Sequence, residues 1–253
     1  MTDGSGPRRV LVLLHGMGAT GDVWLPWAPL LEHRWPGRWL APDLAGHGWS
    51  PPLAGYSFAG LAERVAAGLG PASGSADGRS GERLVVLGHS LGGVVALALA
   101  ARGAGLPVDA VVGLGIKAVW SPAELAKARE LAERPVSWFA TRDEAARRYL
   151  RVAGLGGLFA PDHPVVHAGL RAEDGRWRLA MDPAAFAVGA PDLPGLLAGT
   201  DVPVLLARGE HDPMVSDDQL AALGVPVVTL PGLGHNAHVE DPAAVLALLD
   251  RYL

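Results

Sequence analysis

Short runs of β-branched residues and leucine recur along the chain at 10–14, 38–41, 84–87, 110–116, 204–207 and 227–230. They are nearly continuous in apolar character, which is the pattern of strands covered on both faces in a parallel sheet. Between them apolar residues fall at helical spacing. Residues 24–33 carry Trp24, Trp27, Leu30 and Leu31 on one face, and 58–69 carries Phe58, Leu61, Ala62, Val65 and Leu69. Residues 94–101 are apolar throughout and read as a buried helix. Strands alternating with helices from 10 to 116 are the signature of βαβ units.

From 117 to about 196 the alternation stops. Ser121-Pro122-Ala123-Glu124 and Thr141-Arg142-Asp143-Glu144 are capping boxes, each a side chain able to satisfy free amides at a helix start. Asp182-Pro183 opens a short third helix. Three helix starts with no clear strand among them predict an inserted helical cap over 117–196, on a core made of 1–116 and 197–253. Strands then return at 204–207 and 227–230, with Ser216 capping a helix between them and Asp241-Pro242 opening a last helix to Tyr252. Residues 71–81, rich in Gly, Ser and Ala, read as a mobile surface connection.

Composition narrows the classes. Hydrophobic residues are 49% and charged residues 19% of 253, which fits a packed globular chain and not disorder. A net charge of −5 without a basic cluster argues against a nucleic-acid partner. With no cysteine, disulfides, thiolate metal sites and cysteine nucleophiles are excluded. Arg8-Arg9 before the apolar run 10–14 is too short a pattern for an export signal, and no apolar run approaches the roughly 20 residues of a membrane span. The expectation is a soluble, cytoplasmic protein acting on a small molecule, with no membrane partner.

The candidate chemistry centres on Gly88-His89-Ser90-Leu91-Gly92. The pentapeptide Gly-x-Ser-x-Gly alone is weak evidence among 34 glycines. Its place between a strand and a helix makes it strong, because so tight a turn needs glycines where a Cβ would collide and holds the serine hydroxyl out at the end of the sheet. The Leu91 amide, at the helix N-terminus, would face the same space. A serine needs a base and the base an orienting carboxylate. Two strand-end loops offer them: 208–214 with Glu210, His211 and Asp212, and 231–238 with His235 and His238.

With these residues in place the chain resembles the α/β-hydrolase family, whose order is Ser…Asp…His. The resemblance implies Ser90 as nucleophile, Asp212 as acid and His235 as base, with Glu210 and His238 as their respective competitors. It also implies that His15-Gly16-Met17-Gly18 is the oxyanion loop, so the Met17 amide would join that of Leu91. Pro42-Asp43 with Gly46-His47-Gly48 and Ser50 resembles another family loop, where Ala45 replaces a frequent arginine; His15 and His47 would hold loops. The family's leading hairpin is not expected here.

The implied activity is cofactor-free hydrolysis of a small, mainly apolar carboxylic ester or lactone through an acyl-enzyme. The same triad in relatives serves C–C bond hydrolysis, thioester hydrolysis and cofactor-free haloperoxidase or perhydrolase chemistry. A rival of another class is a ligand-binding or receptor protein on this fold. Candidate substrate contacts are Trp24 and His89 near the nucleophile and Trp120, Trp138, Phe139 and Trp177 in the cap; these cap aromatics fit a substrate ceiling or the cap's own core equally. Lys117, a lone charge at a strand end, is a candidate ion-pair partner. Asp162, His163 and His167 lack a ligand geometry for metal, and 88–93 is not a dinucleotide fingerprint.

Overall fold

The structure, a computed structural model, describes residues 9–69, 82–101 and 105–252. The connection expected over 71–81 lies outside the described residues. Among the described residues six strands form one sheet: β1 (Arg9–Leu14), β2 (Trp39–Leu40), β3 (Arg83–His89), β4 (Val108–Leu114), β7 (Val204–Gly209) and β8 (Val227–Leu230), while β5 (Leu170–Glu173) and β6 (Arg176–Leu179) pair elsewhere. The order is β2-β1-β3-β4-β7-β8, and every pairing is parallel.

The apolar runs are continuous because each strand serves two cores. Leu11, Leu13, Val85, Leu87, Val112, Leu205 and Ala207 face one layer. Val10, Val12, Leu14, Val86, Val111, Val204 and Leu206 face the other. The two-residue repeat of a strand thus splits one run between two helical layers. The second layer holds α2 (Phe58–Leu69), through Leu61, Ala62 and Val65, and α3 (Leu91–Ala100). α3 is buried on most of its circumference, which explains its lack of amphipathic pattern.

The helix expected at 24–33 is split. Gly21–Trp27 is 3-10, and the α-helix α1 begins at Ala28 and ends at Arg34. Pro26 and Pro29 supply no amide hydrogen, so the first turns cannot close an α-helical ladder. The helix expected from 242 to 252 is likewise α9 (Pro242–Leu246) followed by 3-10 turns at Ala247–Tyr252.

The stretch between β4 and β7 contains α4 (Pro122–Ala132) and α5 (Arg142–Val152), both opened by the expected capping boxes. It also contains what the apolar pattern did not predict, an antiparallel hairpin of β5 (Leu170–Glu173) and β6 (Arg176–Leu179). Asp174 and Gly175 turn it with φ of 48° and 73°, the two positive values that a tight two-residue hairpin demands. Ala145, Ala146, Tyr149 and Leu150 of α5 and Leu170 of β5 share a core with Trp24 and Trp27. This stretch therefore shares a hydrophobic core with the helical layer that holds Trp24 and Trp27. The remaining helices are α6 (Leu193–Ala198), α7 (Asp217–Ala221) and α8 (Ala237–Glu240).

Candidate active site

β1 and β3 are neighbours whose crossovers leave in opposite directions, to β2 and to β4, so a crevice opens at their carboxyl ends. Ser90 sits there, the single residue between β3 and α3. Its φ of 50° and ψ of −114° are strained for a residue with a side chain. Its amide donates to the Leu114 carbonyl at 2.7 Å, which pins the turn to β4. A Cβ at Gly88 would strike the Gly92 carbonyl, and one at Gly92 would strike the Leu14 carbonyl. Both glycines are required by close backbone approach.

Ser90 lines a cavity of about 450 Å³ together with Gly16, Met17, His89, Leu91 and His235. No hydrogen bond joins the Ser90 hydroxyl to the His235 ring; the two share the cavity wall, and such contacts commonly tighten only when substrate is bound. His235 Nδ1 lies 2.9 Å from Asp212 Oδ2. The Asp212 side chain is fully buried and its other oxygen accepts the Met214 amide at 2.8 Å, so the carboxylate is held in one orientation. The competing Glu210 accepts the Gly232 amide at 2.8 Å and stitches two loops together instead.

Arg208 supports the acid loop from below. It is buried, pairs with Asp217 at 2.9 Å, and donates to the carbonyls of Glu210 and Asp212. On the other side Glu240 accepts the Gly234 amide at 2.6 Å, fixing the residue before the imidazole. Neither residue was singled out from sequence. Arg208 ends an apolar strand and Glu240 sits in a helix, and only the fold brings them to these backbone groups.

Four buried histidines surround this pair. His15 Nε2 accepts the Leu44 amide at 2.9 Å while its Nδ1 donates to Gly16 O at 2.8 Å. His47 Nε2 accepts the Gly18 amide at 3.2 Å and Nδ1 donates to Ala45 O. An acceptor nitrogen requires the neutral ring, and burial lowers both rings' pKa, to about 3 for His47. Two neutral imidazoles thus hold the Gly16–Gly18 loop. His89 donates from Nε2 to the His235 carbonyl at 2.9 Å, and burial keeps it well below the usual range. His238 is pressed between His89, at 4.2 Å between ring centroids, and Trp24, at 4.6 Å, and burial lowers it to about 3.

The cavity separates the remaining candidates. Met17, Leu91, His89 and Trp120 line it. Trp24 does not: it is fully buried against Trp27, at 4.9 Å, and His238, and belongs to the core. Phe139 and Trp177 are also not ceiling residues. They exchange backbone hydrogen bonds with each other and pack on the core below, filling the insertion itself. Trp138 lies over the guanidinium of Arg176 beside a separate hollow of about 380 Å³ containing Arg171 and Arg178. Walls that sequence did not single out come from Phe58, Val94, Leu131, Phe186 and Val188. His163 caps the turn at Pro164–Val166 through the Val165 amide and stacks on Phe159.

A parallel sheet with a serine at the β3–α3 turn, and an acid and an imidazole on the last two strand-end loops, defines a hydrolase-type architecture. The alpha/beta hydrolase family model matches residues 11–248, and the chain belongs to that family. It is 30% identical over 244 residues to a 2-succinyl-6-hydroxy-2,4-cyclohexadiene-1-carboxylate synthase of Pectobacterium atrosepticum, covering 92% of this chain and 89% of that one. Over a shorter stretch of 100 residues it is 46% identical to a pimeloyl-[acyl-carrier protein] methyl ester esterase of Aeromonas hydrophila, covering 38% of this chain and 33% of that one. Among solved structures it superposes on an E-2-(acetamidomethylene)succinate hydrolase with a TM-score of 0.75 at 26% identity, over 99% of this chain and 92% of that chain. An esterase from Mycobacterium tuberculosis gives 0.70 at 25%, over 98% and 84%. The family and its esterase-named members mark the chain as a hydrolase. Among the described residues no helix is long and apolar enough to cross a membrane.

Proposed function

We propose that the protein hydrolyses a carboxylic ester or lactone through an acyl-enzyme on Ser90. His235 takes the serine proton and returns it to the leaving oxygen, and Asp212 holds the ring and stabilises its charged form. The tetrahedral oxyanion is received by the amides of Met17 and Leu91, each worth about 3 kcal/mol by analogy with measured donors. Water then attacks the acyl ester by the same route, and no cofactor is needed. The insertion at 117–196 acts as a cap that selects the substrate, with Trp120 and His89 touching it.

The observation that carries this reading is the 2.9 Å contact of His235 Nδ1 with a buried, doubly bonded Asp212, beside the cavity that holds Ser90. Nδ1 must then carry the proton, which leaves Nε2 free to act as base. A receptor that only binds ligand does not require that tautomer, and turnover separates the two. Steady turnover of p-nitrophenyl butyrate, lost in Ser90→Ala with an unchanged circular dichroism spectrum, supports the proposal; turnover surviving the substitution refutes it.

A second reading keeps the same three side chains and acts on a carbon–carbon bond beside a carbonyl. It is motivated by one observation: a relative matched over most of both chains is named as a synthase of a cyclic carboxylate, while another such relative is named as a methyl ester esterase. Turnover of a vinylogous diketone without turnover of esters would select it.

A further inference from the structure

The cavity wall is mainly apolar, yet it includes four charged side chains: Lys117, Glu124, Lys127 and Arg151. Three cations face one anion, in a chain whose net charge is −5. The buried histidines beside them, His89 and His238, are held neutral by burial and add no further positive charge. The wall is thus positive against the trend of the molecule.

The three cations are not equivalent. Lys127 is exposed and pairs with Glu130 one turn away, so it is balanced on its own helix. Lys117 follows β4, and its side chain is only 13% exposed. Its ammonium meets Glu124 Oε1 at 2.6 Å and lies 5.3 Å from the Trp120 ring. The other Glu124 oxygen is committed to the Ser121 amide and hydroxyl, so the helix cap fixes where that carboxylate stands. An ammonium has three donors, and Glu124 uses one.

Arg151 is different again. It lies at the end of α5, exposed at the cavity mouth, and its side chain bonds no described residue. One turn earlier stand Arg147 and Arg148, and the two acids of its helix lie in the first turn, where Asp143 pairs with Arg147 and Glu144 closes the Thr141 capping box. A guanidinium presents a planar fork of donors matched to a carboxylate. Lys117 and Arg151 come from different elements, β4's exit loop and α5, and both line the mainly apolar cavity that Ser90 lines.

We infer that the substrate carries a carboxylate remote from the scissile carbonyl, and that Arg151 and Lys117 receive it, so that the enzyme prefers a hemiester of a dicarboxylic acid to a neutral ester. This specificity rests on the serine-hydrolase reading above. The apolar wall between the charges and Ser90 then covers the methylene chain, and the charged end fixes which carbonyl reaches the nucleophile.

The test compares monomethyl adipate with methyl heptanoate by pH-stat, in wild type, Lys117→Met, Arg151→Met and Ser90→Ala. The expected result is a kcat/KM ratio favouring the hemiester by about tenfold or more, the size of one charge-assisted hydrogen bond. That ratio should collapse towards one in Arg151→Met and fall as ionic strength rises from 0.02 to 0.5 M. Arg151 is exposed, so its replacement leaves the fold intact even if Lys117→Met does not. A ratio near one in the wild type, or a ratio unmoved by Arg151→Met, overturns the inference while leaving Ser90 chemistry standing. Equal turnover in Ser90→Ala sinks the underlying mechanism, whatever the ratio.

Discussion

The His89 ring donates from Nε2 to the main-chain carbonyl of His235, 146 positions away in sequence, at 2.9 Å. The residue before the proposed nucleophile thereby holds the backbone of the proposed base. The two rings also lie 4.7 Å apart between centroids, which sets the approach of one imidazole to the other.

Replacing His89 by Leu removes this donor and leaves the part-buried His235 carbonyl unpaired. The expected outcome is a kcat lower by about tenfold, the worth of one such bond, with His89→Gln recovering part of it. A purely structural role would lower thermal stability in both variants and leave kcat per folded molecule unchanged. Initial rates on p-nitrophenyl butyrate, scaled by active-site titration, decide between them.

Asp212→Asn should lower kcat by about 10³–10⁴, since an amide no longer enforces the reactive tautomer. Glu210→Gln should stay within a few-fold, because Glu210 bonds the Gly232 amide and not the imidazole. Parallel kinetics of the two variants test the assignment of the acid. A collapse confined to Glu210→Gln reverses it.

Buried neutral histidines make the fold acid-sensitive. His47 and His238 are lowered from 6.5 to about 3, and His15 and His89 are lowered as well, burial being the leading cause in each. At His47 and His238 the unfolded chain takes up protons below about pH 6.5, while the native chain does not until nearer pH 3, and His15 and His89 act in the same direction. Their contribution is therefore intact above the unfolded value and is lost as pH falls through that window. Each fully shifted site contributes about 1.4 kcal/mol per pH unit to that loss. Urea unfolding at pH 7.5, 6, 5 and 4 should show a steep decline, shallower in His47→Gln; a flat profile contradicts the neutral assignment.

Arg208→Met keeps the length of the side chain but removes two hydrogen bonds to the loop that carries Asp212 and the ion pair with Asp217. It should destabilise the protein by about 1–3 kcal/mol, since two loop carbonyls lose their donor, and should lower kcat through a mispositioned carboxylate. Denaturant midpoints and kcat, measured on the same preparation, report both effects. Wild-type kcat in a destabilised variant would confine Arg208 to the fold.

Local signals made much of the sheet legible. The apolar runs located its strands because burial on both faces leaves few polar positions, and Gly88 and Gly92 betrayed the tight turn that presents Ser90. The β5–β6 hairpin had a local signal in Asp174-Gly175 and in the alternation of Arg171, Arg176 and Arg178 with apolar residues, but strands of four residues without a β-branched side chain make that signal short and weak. Trp24, Phe139 and Trp177 could not be placed from sequence because a pocket wall and a core use the same side chains. Arg208, Glu240 and the charged cavity wall depend on contacts between distant loops. No local pattern encodes those.

A covalent mark on Ser90 tests the central claim most directly. After brief treatment with a fluorophosphonate, intact mass and peptide mapping should reveal one adduct on the peptide holding Ser90, with loss of ester turnover in proportion. Ser90→Ala should take no label. Labelling at another residue, or full turnover by the Ser90→Ala protein, would contradict the account.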